Sequence, residues 1–260
     1  MIIGLNWLEN MSNISVCMAS YNGEKFIGKQ LISILKQIGV NDEVIVVDDG
    51  STDKTIDVIN GMEDSRIKII ELRKNVGHVK AFEEALKHAA HEIIFLSDQD
   101  DIWFPGKYQE VLEEIGVVED TVLVVHSLSS INATGKILSN NWLSLPAASL
   151  SGLHFLLFEL IKPRVFGSAS AFRSSLLEIM LPFPRCVYAH DHWLTICAAM
   201  DGESKFMTKN LTYRRIHSDN LTPKNGLNYG KKLYFRLVFF QMIFLALYRV
   251  ILRGYRNERK

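Results

Sequence analysis

An α/β fold with a mostly parallel sheet flanked by helices is predicted from three observations in the 260-residue sequence. Strand-like apolar runs alternate four times with helix-spaced apolar residues up to Gly116, the pattern of a parallel sheet covered on both faces through right-handed crossovers. These runs end in polar or acidic stretches, so that Tyr21, Asp48, Asp49, Asn75, Asp98 and Asp100 fall at one edge of the sheet, where open α/β sheets bind ligands. Hydrophobic residues make up 48% and charged residues 22%, which excludes a disordered chain and leaves core enough for one such domain with an appendage.

Residues 14–19 form the first strand, and Ser20-Tyr21-Asn22-Gly23 the turn that leaves it. Phe26, Ile27, Leu31, Ile34, Leu35 and Ile38 recur at helical spacing. Residues 43–47 are the second strand, ending in Asp48-Asp49-Gly50-Ser51-Thr52-Asp53; Ser51 or Asp53 can cap a helix through Ile56 and Ile59 that stops at Gly61. Residues 66–72 predict a third strand, Asn75-Val76-Gly77-His78 a turn and residues 79–90 a helix. The fourth strand is 93–96, with another helix beginning near Pro105. Beyond Gly116 a mixed second half is expected. Residues 121–125, 165–172 and 205–213 read as strands, and 131–138 as part of a hairpin turning on Asn132-Ala133-Thr134-Gly135. Residues 150–161 and 188–199 read as helices.

Lys plus Arg and Asp plus Glu both number 29, so the formal charge is zero. That neutrality conceals a split: from Lys231 onward eight basic residues face the single acid Glu258, leaving the tail at +7 and residues 1–230 at −7. No nucleic-acid partner is expected. Cys17, Cys186 and Cys197 have no Cys-x-x-Cys spacing, so neither a disulfide framework nor a zinc site is suggested and a reducing compartment fits. The N-terminus lacks the pattern of a secretory signal.

Asp98 and Asp100 would point the same way from the end of the fourth strand. Two such carboxylates repel unless a cation lies between them, and hard oxygen ligands suit Mg²⁺ or Mn²⁺, which accept further oxygens from a diphosphate. A dinucleotide-binding domain would need Gly-x-Gly-x-x-Gly where this chain has Ser20-Tyr21-Asn22-Gly23-Glu24-Lys25, and the Gly-Lys-Ser/Thr of a P-loop is missing. Without a glycine-rich phosphate cradle, the acids must recruit a metal to that task.

In this order and spacing, Ser20-Tyr21-Asn22, Val47-Asp48-Asp49-Gly50-Ser51-Thr52-Asp53, Asn75-Val76-Gly77 and Ser97-Asp98-Gln99-Asp100-Asp101 resemble the motifs of family 2 glycosyltransferases, which have the Rossmann-like GT-A fold. The resemblance covers 12–222, with a nucleotide-sugar half over about 12–101 and an acceptor half over about 102–222. Asp98 to Trp103 takes the Asp-Gln-Asp-Asp-x-Trp form of bacterial rhamnosyltransferase-like members of polysaccharide and O-antigen assembly. The resemblance implies that Ala19 and Tyr21 flank the base, that Asp48 or Asp49 hydrogen-bonds a pyrimidine, and that Asn75 lies in the nucleotide-sugar site. It puts Asp98 on the ribose and Asp100 on the Mg²⁺ or Mn²⁺ that bridges the diphosphate; Asp101 is an extra acid, which leaves open which carboxylates ligate metal.

Family members carry an acid-Asp pair at a helix start whose Asp is the base of an inverting transfer. Here the matching stretch is His190-Asp191-His192-Trp193, His190 replaces the acid, and Asp191 is left as the base and also as a helix cap. His190 and His192, so close on a helix, would not face one metal. Tyr213-Arg214-Arg215-Ile216-His217-Ser218-Asp219-Asn220 resembles the family's Tyr-Arg-x-His-x-x-Asn stretch, placing His217 at the metal or diphosphate and Arg214 or Arg215 against phosphate charge. Gly167-Ser168-Ala169 would line the acceptor side. The donor implied is dTDP-rhamnose or a UDP-hexose, and the acceptor a saccharide hydroxyl on a lipid-linked intermediate of capsule, O-antigen or cell-wall polysaccharide. A nucleotidyltransferase would want a glycine-rich loop with Arg and Lys after the first strand. An inactive sugar-nucleotide-binding scaffold is the alternative, against which the metal and base carboxylates argue.

The tail, 231–256, reads as a basic amphipathic helix. Its uncharged core, 237–248, has 12 residues, short of the ~20 that span a bilayer. Lys231, Lys232, Arg236, Arg249, Arg253 and Arg256 share a sector of roughly 160°. That suits a helix lying on the anionic cytoplasmic face of a bacterial inner membrane, with packing on the protein's own core or on a partner as the alternative.

Overall fold

The computed structural model describes residues 13–118, 120–161, 164–218, 220 and 229–257. Residue 12 and residues 221–222, the expected ends of the main domain, lie outside them, as do Asp219, Glu258, Arg259, Lys260 and the side chains of Lys231 and Lys232.

Strand β1 (Ile14–Ser20) is buried along nearly its whole length because it has a parallel neighbour on each side, β2 (Glu43–Asp48) and β4 (Ile93–Asp98). β3 (Ile67–Glu71) lies parallel to β2 and ends this half. Apolar residues point to both faces, as a doubly covered sheet requires. Cys17, Ile45 and Val47 pack with Ala81 and Phe82 of α3 (His78–His88), whereas Val16, Met18, Val44 and Val46 pack with Ile27, Leu31 and Ile34 of α1 (Ile27–Leu35). A short helix, α2 (Thr55–Asn60), follows β2. In-register pairing puts Ser20 beside Asp48, Asp48 beside Glu71 and Ala19 beside Asp98, so these strands end along one edge.

The second half is mixed, as expected. β9 (Ser170–Arg173) runs antiparallel between β4 and β6 (Thr121–Asn132); β6 pairs in parallel with β10 (Glu203–Ile216), which carries the short antiparallel β5 (Ile102–Trp103). β7 (Ile137–Leu143) forms the hairpin with β6, turning where Asn132 Oδ1 accepts the amides of Thr134 at 3.1 Å and Lys136 at 2.8 Å. β8 (Ala148–Leu150) borders β10. The helices are α4 (Lys107–Val117), α5 (Gly152–Ile161), α6 (Leu177–Met180), α7 (His190–Asp201) and α8 (Tyr229–Asn257).

Two expectations shift. β6 and β10 run well beyond 121–125 and 205–213, because the hydroxyls in Ser127-Leu128-Ser129 bond across the sheet. Ser127 Oγ donates to Met207 O at 3.1 Å and Ser129 Oγ to Asn140 O at 2.9 Å, so polar residues with turn-like composition are buried at little cost. The strand expected over 165–172 begins only at Ser170; before it Gly167–Ala169 forms a 3₁₀ turn that packs against His190.

α8 takes the alternative of packing on the protein's own core along one side. Val238, Phe239, Met242 and Ala246 are buried against α6 and α7. Arg249 donates to the carbonyls of Ile179 (2.7 Å), Met180 (3.0 Å) and Pro182 (2.7 Å), and Arg253 pairs with Asp201. Two arginines grouped on the polar sector are therefore spent on the protein itself. Tyr234, Leu237, Phe240, Phe244, Tyr248 and Ile251 are left exposed on α8. Tyr234–Arg256, of mean hydropathy 1.9, is long and apolar enough by length and composition to cross a membrane.

Glu43 ties the parallel half together: it accepts the Ser15 hydroxyl (2.5 Å), the Ala90 amide (2.8 Å) and Lys68 Nζ (2.6 Å). Burial pushes its pKa up, but the bonds from Lys68, Ser15 and Ala90 more than offset this and hold it below the ordinary value. A depressed folded pKa stabilises above the unfolded value of 4.5 and loses that contribution as pH falls through the folded one. Glu43→Gln is therefore expected to cost about 1–3 kcal/mol in urea unfolding at pH 7, with the gap to the parent narrowing as pH falls below 4.5.

Candidate active site

A cavity of about 750 Å³ opens at the carboxyl ends of β1, β2 and β4, within the range that encloses a small-molecule ligand. Of the residues singled out in the sequence, Ala19, Tyr21, Asp49, Asn75, Asp98, Asp100, Asp101, Arg214 and His217 line it. Asp48 and Asp191 are outside that lining. Asp48 is spent on its own turn, accepting the hydroxyls of Ser20 (2.9 Å) and Ser51 (2.5 Å) and the Ser51 amide (2.8 Å). Asp49 faces the cavity and accepts the amides of Val76 (2.6 Å) and Gly77 (2.9 Å), fastening the 75–77 loop to the end of β2. Between them, Gly50 has φ +75°, and a Cβ there would meet the Lys74 carbonyl carbon at 2.9 Å, so the close approach of the two loops needs glycine. Asp53 accepts the Thr55 amide at 3.0 Å beside the start of α2, while Ser51 Oγ accepts the Asn22 amide at 2.8 Å.

The acidic stretch after β4 is the electrostatic centre. Burial, then the Asp100 charge, push the Asp98 carboxyl up to about 7, against the pull of Arg214 and a hydrogen bond from Ser168. The same two causes raise Asp101 well above the usual carboxylate range. Asp101 Oδ1 accepts the Arg215 amide at 2.9 Å, and its other oxygen has no hydrogen-bond partner among the described residues. Asp100 Oδ2 lies 2.6 Å from His217 Nε2 and accepts from Asn220 Nδ2 at 3.3 Å. Behind the acids Lys107 is fully buried; its Nζ donates to Ser168 O (2.8 Å) and Thr212 Oγ1 (2.9 Å) above the Trp103 ring. Burial brings its pKa down to about 7 despite Asp101 and Asp98. The arginines now separate. Arg215 is committed to the carbonyls of Asp100 (2.8 Å), Asn132 (3.0 Å) and Ala133 (3.2 Å), whereas Arg214 lies over Trp142 at 4.3 Å and lines the cavity.

Among the described residues no three His, Cys, Asp or Glu side chains form a ready-made metal cage. Asp100 and His217 offer an oxygen and a nitrogen together, and the unpartnered Asp101 oxygen with the raised Asp98 pKa marks negative charge in need of compensation. That donor set fits a hard divalent cation that completes its shell with water and ligand oxygens.

Asp191 lies in the first turn of α7, where Oδ1 accepts the His192 amide at 2.8 Å. Its charge contributes to raising the Asp98 pKa, but its side chain is not part of the cavity wall. His190 does line the wall: its ring stacks on Phe82 at 3.9 Å, and a Cβ at Gly167 would come within 2.5 Å of its Nε2. Burial lowers its pKa to about 4, so the ring is neutral at physiological pH. The His192 ring goes elsewhere, with Nδ1 2.6 Å from the Tyr188 hydroxyl, so the two imidazoles share no site. Trp193 is core, donating Nε1–H to Met180 O at 3.0 Å. Lys107 had no signal in the sequence, and His190 and Gln99, though inside the quoted motifs, take parts that their spacing does not indicate. Lys107 and His190 bury polar groups against segments distant in sequence, and Gln99 accepts the Tyr21 amide (2.9 Å) while donating to its carbonyl (3.0 Å).

Residues 15–179 match the model of glycosyl transferase family 2. An uncharacterized glycosyltransferase of Nostoc sp. is 30% identical over 214 residues, 80% of this chain and 66% of that protein. The UDP-Glc:alpha-D-GlcNAc-diphosphoundecaprenol beta-1,3-glucosyltransferase WfgD of Escherichia coli is 32% identical over 128 residues, 49% of this chain and 47% of its own. The crystal structure of S. aureus TarS 1–349 in complex with UDP-GlcNAc has the same fold, with a TM-score of 0.68 at 21% identity over 91% of this chain and 72% of that one. The chain thus spans 47% and 66% of the length of these two curated relatives.

The raised Asp98 pKa has a sign that can be tested. The folded chain holds this proton more tightly than the unfolded one, so its stabilising effect is full below pH 3.8 and is lost as pH rises through about 7. A cation beside Asp98 opposes the proton. Mn²⁺ is therefore expected to bind about tenfold more weakly at pH 6 than at pH 8, read as thermal shift against Mn²⁺ concentration, and Asp98→Asn should flatten most of that dependence.

Proposed function

The chain belongs to glycosyl transferase family 2 and has the GT-A fold, and from that premise we propose that it is an inverting, metal-dependent glycosyltransferase. It moves a hexosyl or rhamnosyl group from a pyrimidine nucleoside diphosphate to a saccharide hydroxyl. The observation that carries this reading is the convergence of Ala19, Tyr21, Asp49, Asn75, Asp98, Asp100 and His217 on one cavity. Residues 12–101 would form the donor half and 102–222 the acceptor half, with α8 as a separate element. UDP-hexoses take first place among donors, since WfgD is named for UDP-Glc and the TarS complex holds UDP-GlcNAc; dTDP-rhamnose is second.

In this mechanism Ala19 and Tyr21 flank the base, and Asp49 replaces the two-way choice with Asp48, whose oxygens are already engaged in its turn. Asp98 receives the ribose and Arg214 a phosphate oxygen. Asp100 and His217, with Asp98 or Asp101, would hold Mg²⁺ or Mn²⁺, which when bound offsets the charge of the leaving diphosphate. Asp191 takes the proton of the acceptor hydroxyl as that oxygen bonds to the anomeric carbon from the face opposite the leaving group. The carbon–oxygen bond to the diphosphate breaks, the nucleoside diphosphate departs, and the configuration inverts.

The acceptor is proposed to be lipid-linked, a reading supported by the diphosphoundecaprenol in the name of WfgD and by the apolar residues exposed on α8. With Arg249 and Arg253 holding one side of α8 to the protein, the opposite side would rest in the cytoplasmic surface of an inner membrane.

Thermal unfolding with Mn²⁺ and a panel of UDP-, dTDP- and GDP-sugars tests the site. A ligand at ~100 times its dissociation constant adds about 2.7 kcal/mol; one nucleotide series should stabilise, only with metal, and Asp100→Ala should abolish the effect. Asp191→Asn should bind the donor as the parent does while transfer falls about 10²–10⁴-fold. No response to any nucleotide in the presence of Mn²⁺ would overturn the donor site.

A further inference from the structure

The turn that carries Asp191 lacks an ordinary anchor. The first amides of a helix have no partners within it, and a side-chain cap commonly supplies them. Here the N-cap is Ala189, which makes no side-chain cap bond. A different device spans the turn. Tyr188 and His192 stand four residues apart, with the Tyr188 hydroxyl 2.6 Å from His192 Nδ1, and the His192 amide in turn holds Asp191 Oδ1 at 2.8 Å. Burial, then the Asp191 charge, push the Tyr188 phenol up to about 12, so its hydroxyl stays protonated beside the imidazole.

Both rings of this staple rest on α8. Phe235 packs on Tyr188 with centroids 4.5 Å apart, and Phe239 meets the edge of the His192 ring at 6.3 Å. Phe235 and Phe239 are themselves one turn apart and so share a face of α8, matching the spacing of the pair they support. Further along, Arg249 fixes the register of α8 through the carbonyls of Ile179, Met180 and Pro182 and lies over the Trp193 ring of α7. We propose that Tyr188 and His192, seated on Phe235 and Phe239, are positioning residues for the Asp191 carboxylate, which makes α8 part of the reacting end of the enzyme. This rests on the reading of Asp191 as the base.

The test uses the full chain, Mn²⁺ and whichever of UDP-glucose, UDP-GlcNAc and dTDP-rhamnose gives the largest metal-dependent thermal shift, with nucleoside diphosphate release as the rate. Tyr188→Phe removes only the hydroxyl, and Phe239→Ala removes the support beneath His192. Both are expected to lower kcat about tenfold while KM for the donor stays within about twofold. A merely structural role would lower Tm, or active fraction, without that split. Phe239→Leu, which retains most of the contact, should recover most of kcat; it also keeps the test open if Phe239→Ala fails to fold. Asp191→Asn runs alongside. An inactive Asp191→Asn with parental kcat in Tyr188→Phe and Phe239→Leu and Phe239→Ala would overturn the positioning role alone. An active Asp191→Asn would overturn the assignment of the base and the proposal with it.

Discussion

Crowding of like charge at the end of β4 is the constraint to which the rest of the structure answers. Asp98, Asp100 and Asp101 follow one another at the mouth of a buried strand, and Asp191 adds its charge from α7. Carboxylates in such a place hold their protons unless positive charge is built in behind them. Two basic side chains stand behind them, and even so Asp98 is held up to about 7 and Lys107 down to about 7. Lys107 lies fully buried beneath the acids, and Arg215 is locked by three carbonyls with its own amide on Asp101. Neither reaches the cavity wall; both set the potential there.

That arrangement explains why two halves of unlike topology are one unit. The parallel half brings its strand ends to one edge. The mixed half brings cations and the imidazole to the same edge from more than a hundred residues away: Arg215 to Asp101 across 114 positions, His217 to Asp100 across 117. β9 is the hinge of this construction, antiparallel to β4 on one side and to β6 on the other. Lys107 then pins α4 to the 3₁₀ turn at Ser168 and to Thr212 of β10. Changing the charge of the site without loosening the joint between the halves is therefore difficult.

What the sequence disclosed follows from this geometry. The parallel half was legible nearly residue by residue, because a strand buried on both faces is an unbroken apolar run and its functional residues are the first polar ones after it. Tyr21, Asp49, Asp98 and Asp100, which line the cavity, are such residues. Between Asp48 and Asp49 the sequence leaves the choice open, because local order cannot reveal which carboxylate a turn consumes. The long strands β6 and β10 were cut short since their serines are satisfied only by neighbours distant in sequence. Lys107 leaves no trace in the sequence for the same reason, and what His190 and Gln99 do within their motifs depends on partners that only the tertiary fold brings near. On α8 the count of basic residues was right, but which of them face outward depended on carbonyls at the end of α6.

Gln99 stands between the two acids Asp98 and Asp100, and its amide grips both the N–H and the carbonyl of Tyr21. Gly23, where a Cβ would collide with that amide, completes the fit. The loop that would face the nucleobase is thus bolted to the segment that carries the acids. The two segments therefore cannot be moved independently: a substitution that shifts the Tyr21 turn also shifts the stretch carrying Asp98 and Asp100.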